Sequence, residues 1–338
     1  MSGIAALAKF KKLCVTNDLI KDAANPNGDD IRSGIVDDGT LFRFLRARNY
    51  DVEKAFQQYQ ATRKWRDENQ LIELYETIDV SKYEETRKLY THWTGRRDRN
   101  GVPLFLFEIG QLSPSLMAAY KASCSSTTDT VTGTESQAML RLFCTYENLI
   151  RFVFPLCSTV QSRPNPGIPI TQATCIVDIS GVGLLQFWRL KTHMQAASSL
   201  ATAHYPETLG RTYIIGAPSF FPTVWSWINK WFDQNTVSKI FIVPPGQEYS
   251  MLSELIDPIN IPHRYGGQFD FDFGMVPDLD SEIMERMKWL KDENGQVFEE
   301  LPLGPMRWIE QQDGTRTAIA VGTVNQAQRK MDIMALGN

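Results

Sequence analysis

Apolar positions in the first sixty residues recur at helical spacing. A run from Ile4 to Lys21 predicts a helix that breaks at NPNGDD (25–30), a loop by composition. Asp38 stands ahead of GTLFRFLRAR, a short helix ending near Asn49, and Asp51 ahead of VEKAFQQYQATRKWRDEN, a longer one. A carboxylate at that position accepts from the first free N–H groups of a helix, so both are placed as N-caps. In the longer helix Val52, Ala55, Phe56, Tyr59 and Trp65 share a face, which must pack on something.

After Asp79 the pattern changes. GVPLFLFEIG (101–110) predicts a strand. A Ser/Thr-rich loop, SCSSTTDTVTGT (123–134), leads into a helix from Glu135 to Pro155. The loop RPNPGIP (163–169) precedes ATCIVDISG (173–181), a buried strand by its apolar run. A helix over Phe187–Tyr205, a strand over RTYIIGAP (211–218), a helix over WSWINKWF (225–232) and a strand over VSKIFIVPP (237–245) follow. Strands alternating with helices predict an α/β fold with a largely parallel sheet, behind an all-helical N-terminal unit. The expected units are residues 1–70 (helical), 77–268 (α/β, closing at Gly266-Gly267) and 269–338, an extension. The extension begins acidic, as DFDFGMVPDLDSE (270–282). It then offers a hairpin in MRWIEQQDGTRTAIAVG (306–322), turning at Asp313-Gly314.

Residues 220–232 carry the strongest amphipathic signal. At about 100° per residue, Phe220, Phe221, Val224, Trp225, Trp227, Ile228, Trp231 and Phe232 fall in one arc. Thr223, Ser226, Asn229, Lys230 and Asp233 fill the other side. Packing on its own sheet is the ordinary fate of such a helix. An arc this aromatic, opposite a face with a single Lys, also suits a helix that lines an apolar cavity or dips into a bilayer interface.

Composition narrows the function. The 338 residues suit one large domain or two smaller ones, and a net charge of −4 carries no nucleic-acid footprint. Arg96, Arg97 and Arg99 read as a solvated loop. No run approaches the roughly 18 apolar residues of a spanning helix, and MSGIAALAKFKKLC is too short in its apolar part for a secretory signal. The expected location is the cytosol. Five cysteines without CxxC spacing predict reduced, mostly buried thiols, and neither they nor the four histidines show metal-ligand spacing. There is no GxSxG elbow and no GxxxxGK[ST] loop, and ISGVGLL lacks the third glycine of a dinucleotide fingerprint. Cys175 reads as a small buried hydrophobe and Asp178 as a loop or cap residue. No enzyme chemistry and no cofactor are expected.

Several motifs together resemble a known family. FLRARNYDVEKA followed by WR is similar to the N-terminal helical portion of the CRAL-TRIO lipid-transfer proteins. ATCIVDISGV, AHYPETLGRTYIIGAP, NTVSKIFIV and YGG resemble their lipid-binding portion, in the right order, so that the likeness runs from Asp38 to Gly267. The fungal phosphatidylinositol/phosphatidylcholine transfer proteins are the nearest likeness. The resemblance implies a helical unit packed on an α/β domain whose sheet floors a lipid cavity. A mobile helix over Phe220, Phe221, Trp225, Ile228, Trp231 and Phe232 would gate it. The implied ligand is one phospholipid, phosphatidylinositol, with transient contact at membrane surfaces and a monomeric carrier.

The resemblance also implies residue roles. Thr236 and Lys239 of TVSK would hold the inositol phosphate, with Glu207 of YPE and Arg48 of RAR contributing. An ammonium and a hydroxyl bind phosphate oxygens, and a carboxylate accepts from inositol hydroxyls or holds the Lys. Thr208 stands where close relatives carry Arg. On the floor that would take phosphatidylcholine, Tyr146 and Tyr205 are kept, but Thr94 and Phe105 replace tyrosines and Ala173 and Cys175 replace Ser and Thr. Fewer hydroxyls imply a second ligand less polar than phosphatidylcholine, since a buried phosphate left unpaired is costly. The alternatives are a carrier or sensor of a sterol, a squalene-like lipid or haem, the last marked by a Soret band, and a lipid hydrolase, which the absent nucleophile motif disfavours.

Overall fold

The computed structural model describes residues 3–20, 38–125, 133–232, 234–292, 294–310 and 315–336. The chain opens with α1 (Gly3–Thr16), α2 (Asp38–Ala47) and α3 (Val52–Glu68). Asp51 caps α3 as expected, its carboxylate accepting from the Lys54 amide at 3.1 Å. Val52, Ala55, Tyr59 and Trp65 are buried along one face of α3, and Phe56 is half-buried. Phe10 and Phe44 meet Tyr59 edge-on, with centroids at 5.9 and 5.3 Å, so these three helices share a core of their own. Two boundaries differ. The first helix ends at Thr16 rather than Lys21, and Asp38 is the first helical residue of α2, paired with Lys11 at 2.8 Å. The NPNGDD segment lies outside the described residues.

The central sheet runs β1 (His92–Arg97), β2 (Pro103–Glu108), β3 (Ala173–Asp178), β4 (Leu209–Ile215), β5 (Ile240–Ile242). β2 to β5 are parallel, and β1 is antiparallel to β2 at the edge. That matches the α/β expectation, with one correction. Arg96 and Arg97 belong to β1, and only Arg99 stays exposed in the turn that follows. The Arg97 guanidinium is buried, with Nε and Nη2 each 2.7 Å from the two Asp280 oxygens and Nη2 2.7 Å from Glu282. Arg96 lies over the Phe269 ring at 4.4 Å and pairs with Asp278. The acids of 270–282 thus neutralise arginines about 180 positions earlier, a pairing with no local signal.

Alternation along the strands divides the two faces. Leu104, Leu106, Ile176, Tyr213 and Ile215 pack with Leu252, Ile256, Tyr265 and Phe271 on one side. Phe105, Ala173 and Cys175 face the other, toward α4 (Gln137–Asn148) and α5 (Leu184–His204). α4 continues through one π-turn, Leu149–Val153, into a helix at Phe154–Ser158. A helix over Pro114–Ser125 occupies part of the expected Ser/Thr-rich loop. α6 (Phe221–Ile228) tightens into a 3-10 turn at Asn229–Trp231.

The extension forms a four-stranded antiparallel sheet in the order β6 (Met287–Trp289), β9 (Met331–Leu336), β8 (Arg316–Ala320), β7 (Met306–Glu310). β7 and β8 pair from Met306↔Ala320 to Glu310↔Arg316, the predicted hairpin, whose turn at Asp313-Gly314 lies outside the described residues. Ala318, Ile319 and Ile333 join the large core, and the Trp308 indole donates to the Phe152 carbonyl at 3.1 Å. All five cysteines are free and buried. Among the described residues no helix is long and apolar enough to cross a membrane.

Candidate functional site

A cavity of about 1240 Å³ lies between the sheet face of Phe105, Phe107, Ala173 and Cys175 and the inner side of α5. It extends from the N-terminal ends of β3 to β5 past the C-terminal end of β2, where Ile109 and Leu112 line it. Its two ends differ in chemistry. At the strand N-termini stand Arg46, Arg48, Glu207, Thr208, Asn235, Thr236 and Lys239; farther in, the wall is mostly aliphatic and aromatic.

The charged end is built by three short connections. α5 ends at His204, and the Tyr205-Pro206 turn delivers Glu207 into β4. Glu207 sits at φ 58°, in the left-handed region that a residue with a Cβ rarely adopts. Thr208 closes this turn by donating its hydroxyl to the Tyr205 carbonyl at 2.9 Å. The Glu207 carboxylate accepts from Lys239 Nζ at 2.8 Å and from Asn235 Nδ2 at 2.9 Å. Lys239 Nζ also reaches the Leu209 carbonyl at 3.3 Å. Thr236 belongs to a short helix, Gln234–Ser238, that stops just before β5; its carbonyl accepts the Lys239 amide at 3.1 Å. Arg48 follows α2 and is exposed; Arg46, one residue inside the end of α2, donates to the Thr171 hydroxyl at 2.7 Å. Against one carboxylate the cavity therefore places two guanidiniums and one ammonium, an end suited to an anion.

The four residues singled out from the sequence, Arg48, Glu207, Thr236 and Lys239, line one cavity end together. Phe105, Tyr146, Ala173, Cys175, Tyr205 and Thr208 line the same cavity. Thr94 does not: it is buried on β1, its hydroxyl donating to the Leu104 carbonyl at 2.9 Å. Burial pushes the Cys175 thiol up to about 12, which suits the small hydrophobe expected and not a nucleophile. Asp178 accepts from the Ser180 amide at 2.8 Å and the Tyr265 hydroxyl at 2.9 Å, the turn role expected of it.

Apart from Trp227 the aromatic arc packs inward, but in a core beside the cavity rather than along it. Of the six residues expected to gate and line the cavity, Phe232 lines it. Phe220, Phe221, Trp225, Ile228 and Trp231 pack in the adjoining core with Tyr120 and Phe187 and with Leu89, Ile109, Leu112 and Leu190. The last four also line the cavity, so α6 lies behind part of its wall. Trp227, at one end of that arc, is exposed. At 100° per residue it stands about 60° past Val224, at the margin of the stripe.

Two polar groups of the interior carried no sequence signal. The Tyr90 hydroxyl meets His193 Nε2 at 2.5 Å, both residues lining the cavity away from the strand N-termini. Burial holds the His193 pKa below its usual value and the Tyr90 phenol above its own, so the hydrogen bond joins a neutral phenol to a neutral ring. The second is a buried ionic chain. Tyr205 OH donates to Glu147 Oε1 at 2.5 Å; Arg66 and Arg151 pair with Glu147 at 2.7 and 2.8 Å. Arg151 reaches Glu76 at 3.3 Å, and Arg307 of β7 grips Glu76 at 2.6 and 3.2 Å. The cavity wall is thus tied through ion pairs to the C-terminal sheet. Glu147 and Arg151 are four apart on one helix, a spacing that reads from sequence as a surface pair.

Comparison with known proteins places these features in a family. The model of the CRAL/TRIO domain matches residues 86–267 and that of the CRAL/TRIO N-terminal domain residues 6–61. The Sec14 cytosolic factor of Schizosaccharomyces pombe is 31% identical over 69% of this chain and 75% of its own length. The Sec14 cytosolic factor of Yarrowia lipolytica is 30% identical over 71% of this chain, and a phosphatidylinositol/phosphatidylcholine transfer protein of Arabidopsis thaliana is 30% identical over 84% of it. The match spans 45% of each of those two longer relatives. The crystal structure of Sfh5 shares the fold, with a TM-score of 0.56 at 16% identity over 84% of this chain and 95% of that one.

Proposed function

The chain belongs to the CRAL/TRIO domain family, and from that premise we propose that it carries one phosphatidylinositol molecule in its cavity and exchanges it at membranes. The observation that carries the reading is the pairing of a charged end with an apolar interior in one cavity of about 1240 Å³. Lys239 and Thr236 bind the phosphate, Glu207 orients the Lys and accepts from inositol hydroxyls, and Arg48 supplies further positive charge at the rim. The acyl chains lie along Phe105, Ala173, Cys175 and the inner side of α5. The ligand is held and released without covalent change, and the carrier meets membranes from the cytosol as a peripheral protein. The relative named for phosphatidylinositol and phosphatidylcholine transfer motivates the headgroup.

Lys239→Ala tests it. Transfer of phosphatidylinositol between vesicles should fall by at least roughly tenfold, the loss of one charge-assisted hydrogen bond, with the circular dichroism spectrum unchanged. Unchanged transfer sinks the headgroup assignment.

A second reading rests on the Tyr90–His193 couple and on the floor residues Phe105, Ala173 and Cys175, which offer no hydroxyl. These suit a ligand with one neutral polar group, such as a sterol, as the exchange partner of phosphatidylinositol in place of phosphatidylcholine. Mass spectrometry of lipids extracted from the purified protein separates the two: recovered phosphatidylcholine contradicts this second reading.

A further inference from the structure

We propose that the first turns of α5, together with Trp227, form the surface that inserts at the bilayer interface, and that it favours anionic bilayers. This rests on the reading of the protein as a membrane-visiting lipid carrier, and names where and with what chemistry it docks.

Among the described residues the patch is the most concentrated exposure of large apolar side chains on one helix. Leu185 is 75% exposed, and Leu184 and Trp188, on the same two turns, are each 44% exposed. Trp227 comes from the neighbouring α6 and stands with its ring centroid 5.4 Å from that of Trp188. Two tryptophans and two leucines held side by side match what an interface takes: flat amphipathic rings at headgroup depth and aliphatic chains just below.

Charge narrows the partner. Lys191 Nζ sits 4.8 Å over the Trp188 ring, and Arg189 and Lys230 are exposed beside the two tryptophans. No Asp or Glu occurs from 179 to 206, nor from 208 to 232, in a chain whose net charge is −4. Asp178, six residues before α5, and Glu108, its register partner on β2, are buried and paired with Tyr265 and Arg264. A basic rim around an aromatic patch on an acidic protein is complementary to an anionic bilayer, whose surface attracts each nearby Lys or Arg.

The placement also couples docking to the cavity. Within two turns beyond Trp188 the same helix presents Leu190, His193 and Met194 to the cavity, while Phe187 shares a core with Phe221, Val224 and Ile228 of α6. Insertion of Leu185 and Trp188 therefore brings to the bilayer the helix that forms the cavity wall.

The test is sedimentation of the full chain with vesicles of phosphatidylcholine alone and with added phosphatidylserine. Wild type should partition more strongly onto the anionic vesicles. Leu185→Glu and Trp188→Ala should each weaken partition roughly tenfold on the loss of that much apolar burial. The thermal midpoint and the lipid recovered from the purified protein should not change. Arg189→Gln with Lys230→Gln should reduce binding to anionic vesicles alone. Partition unaffected by Leu185→Glu overturns the proposal. So does a patch variant that turns a dimer into a monomer in light scattering without losing vesicle binding, since the face then joins two copies. Lys239→Ala separates this inference from its premise: vesicle binding retained with phosphatidylinositol capture unaltered removes the headgroup assignment and leaves the docking surface standing.

Discussion

Replacement of Glu147 by alanine removes the carboxylate that stands between two buried guanidinium groups. The Glu147 side chain is 0% exposed, and the Arg66 and Arg151 side chains are 2% and 1% exposed. Removing one partner of a buried ion pair costs roughly 3–5 kcal/mol, because the charge left behind stays out of water. Arg151 retains Glu76 at 3.3 Å, so its loss is partial, whereas Arg66 loses both carboxylate oxygens. The Tyr205 phenol, held neutral by burial first and the neighbouring carboxylate second, loses its acceptor, which adds about 1 kcal/mol. Glu147→Ala should thus lower the unfolding free energy by about 4–6 kcal/mol, a large part of the roughly 5–15 kcal/mol of a typical domain. Glu147→Gln keeps an acceptor for Tyr205 and should lose less. Replacing Arg66, Glu147 and Arg151 together by Met, Leu and Met should recover most of the stability, since no charge is then left buried alone. Urea unfolding followed by circular dichroism measures all three variants. A Glu147→Ala protein within about 1 kcal/mol of wild type would refute the buried-charge argument.

His92 predicts the acid limb of stability. Its Nδ1 faces the Tyr90 carbonyl at 3.1 Å and its Nε2 accepts the Gly274 amide at 3.2 Å, an arrangement that only the neutral ring satisfies. Burial, aided by the Arg87 charge, lowers its pKa to about 4. Between about pH 6.5 and 4 the unfolded chain therefore carries a proton the folded chain lacks, so stability falls on acidification, by up to about 3 kcal/mol; His92→Gln should flatten that limb in a pH series of melts. Arg307→Ala should destabilise the protein by about 2–4 kcal/mol through Glu76, read as a lower urea midpoint, whereas an exposed pair such as Lys64–Glu68 should contribute under 1 kcal/mol. Cys175 should resist iodoacetamide at pH 8 in the native protein and label only on unfolding, given a thiol pushed up to about 12 by burial.

What was legible in the chain had local causes. Asp51 marks its helix because a cap and its amides are three residues apart, and β2 to β4 announce themselves as apolar runs between turn residues. β1 stayed hidden because His92, Thr94 and Arg97 are buried polar residues whose partners, such as Gly274 and Asp280, lie far along the chain. β6 and β9 pair with each other across more than forty residues, so neither has a short-range signature. At the cavity, motif resemblance gave Glu207, Thr236 and Lys239, which the fold gathers from either side of β4. Tyr90 and His193 belong to no motif and meet across 103 positions. Trp227 is exposed because it stands at the margin of the apolar stripe, which a wheel does not mark, and α6 changes its pitch just beyond this residue.

Under the proposed function, the contact between Lys239 and Glu207 has a consequence for turnover. The ammonium already has a carboxylate at 2.8 Å and a carbonyl at 3.3 Å, so an anion arriving there does not meet a naked charge. It must compete with a resident counter-ion, and on leaving it is replaced by that same counter-ion. Entry and exit are then both substitutions, close in free energy, as on an ion-exchange resin. Such a site gives up some tightness of grip and gains an easy handover, which is the property a shuttle needs and a storage protein does not.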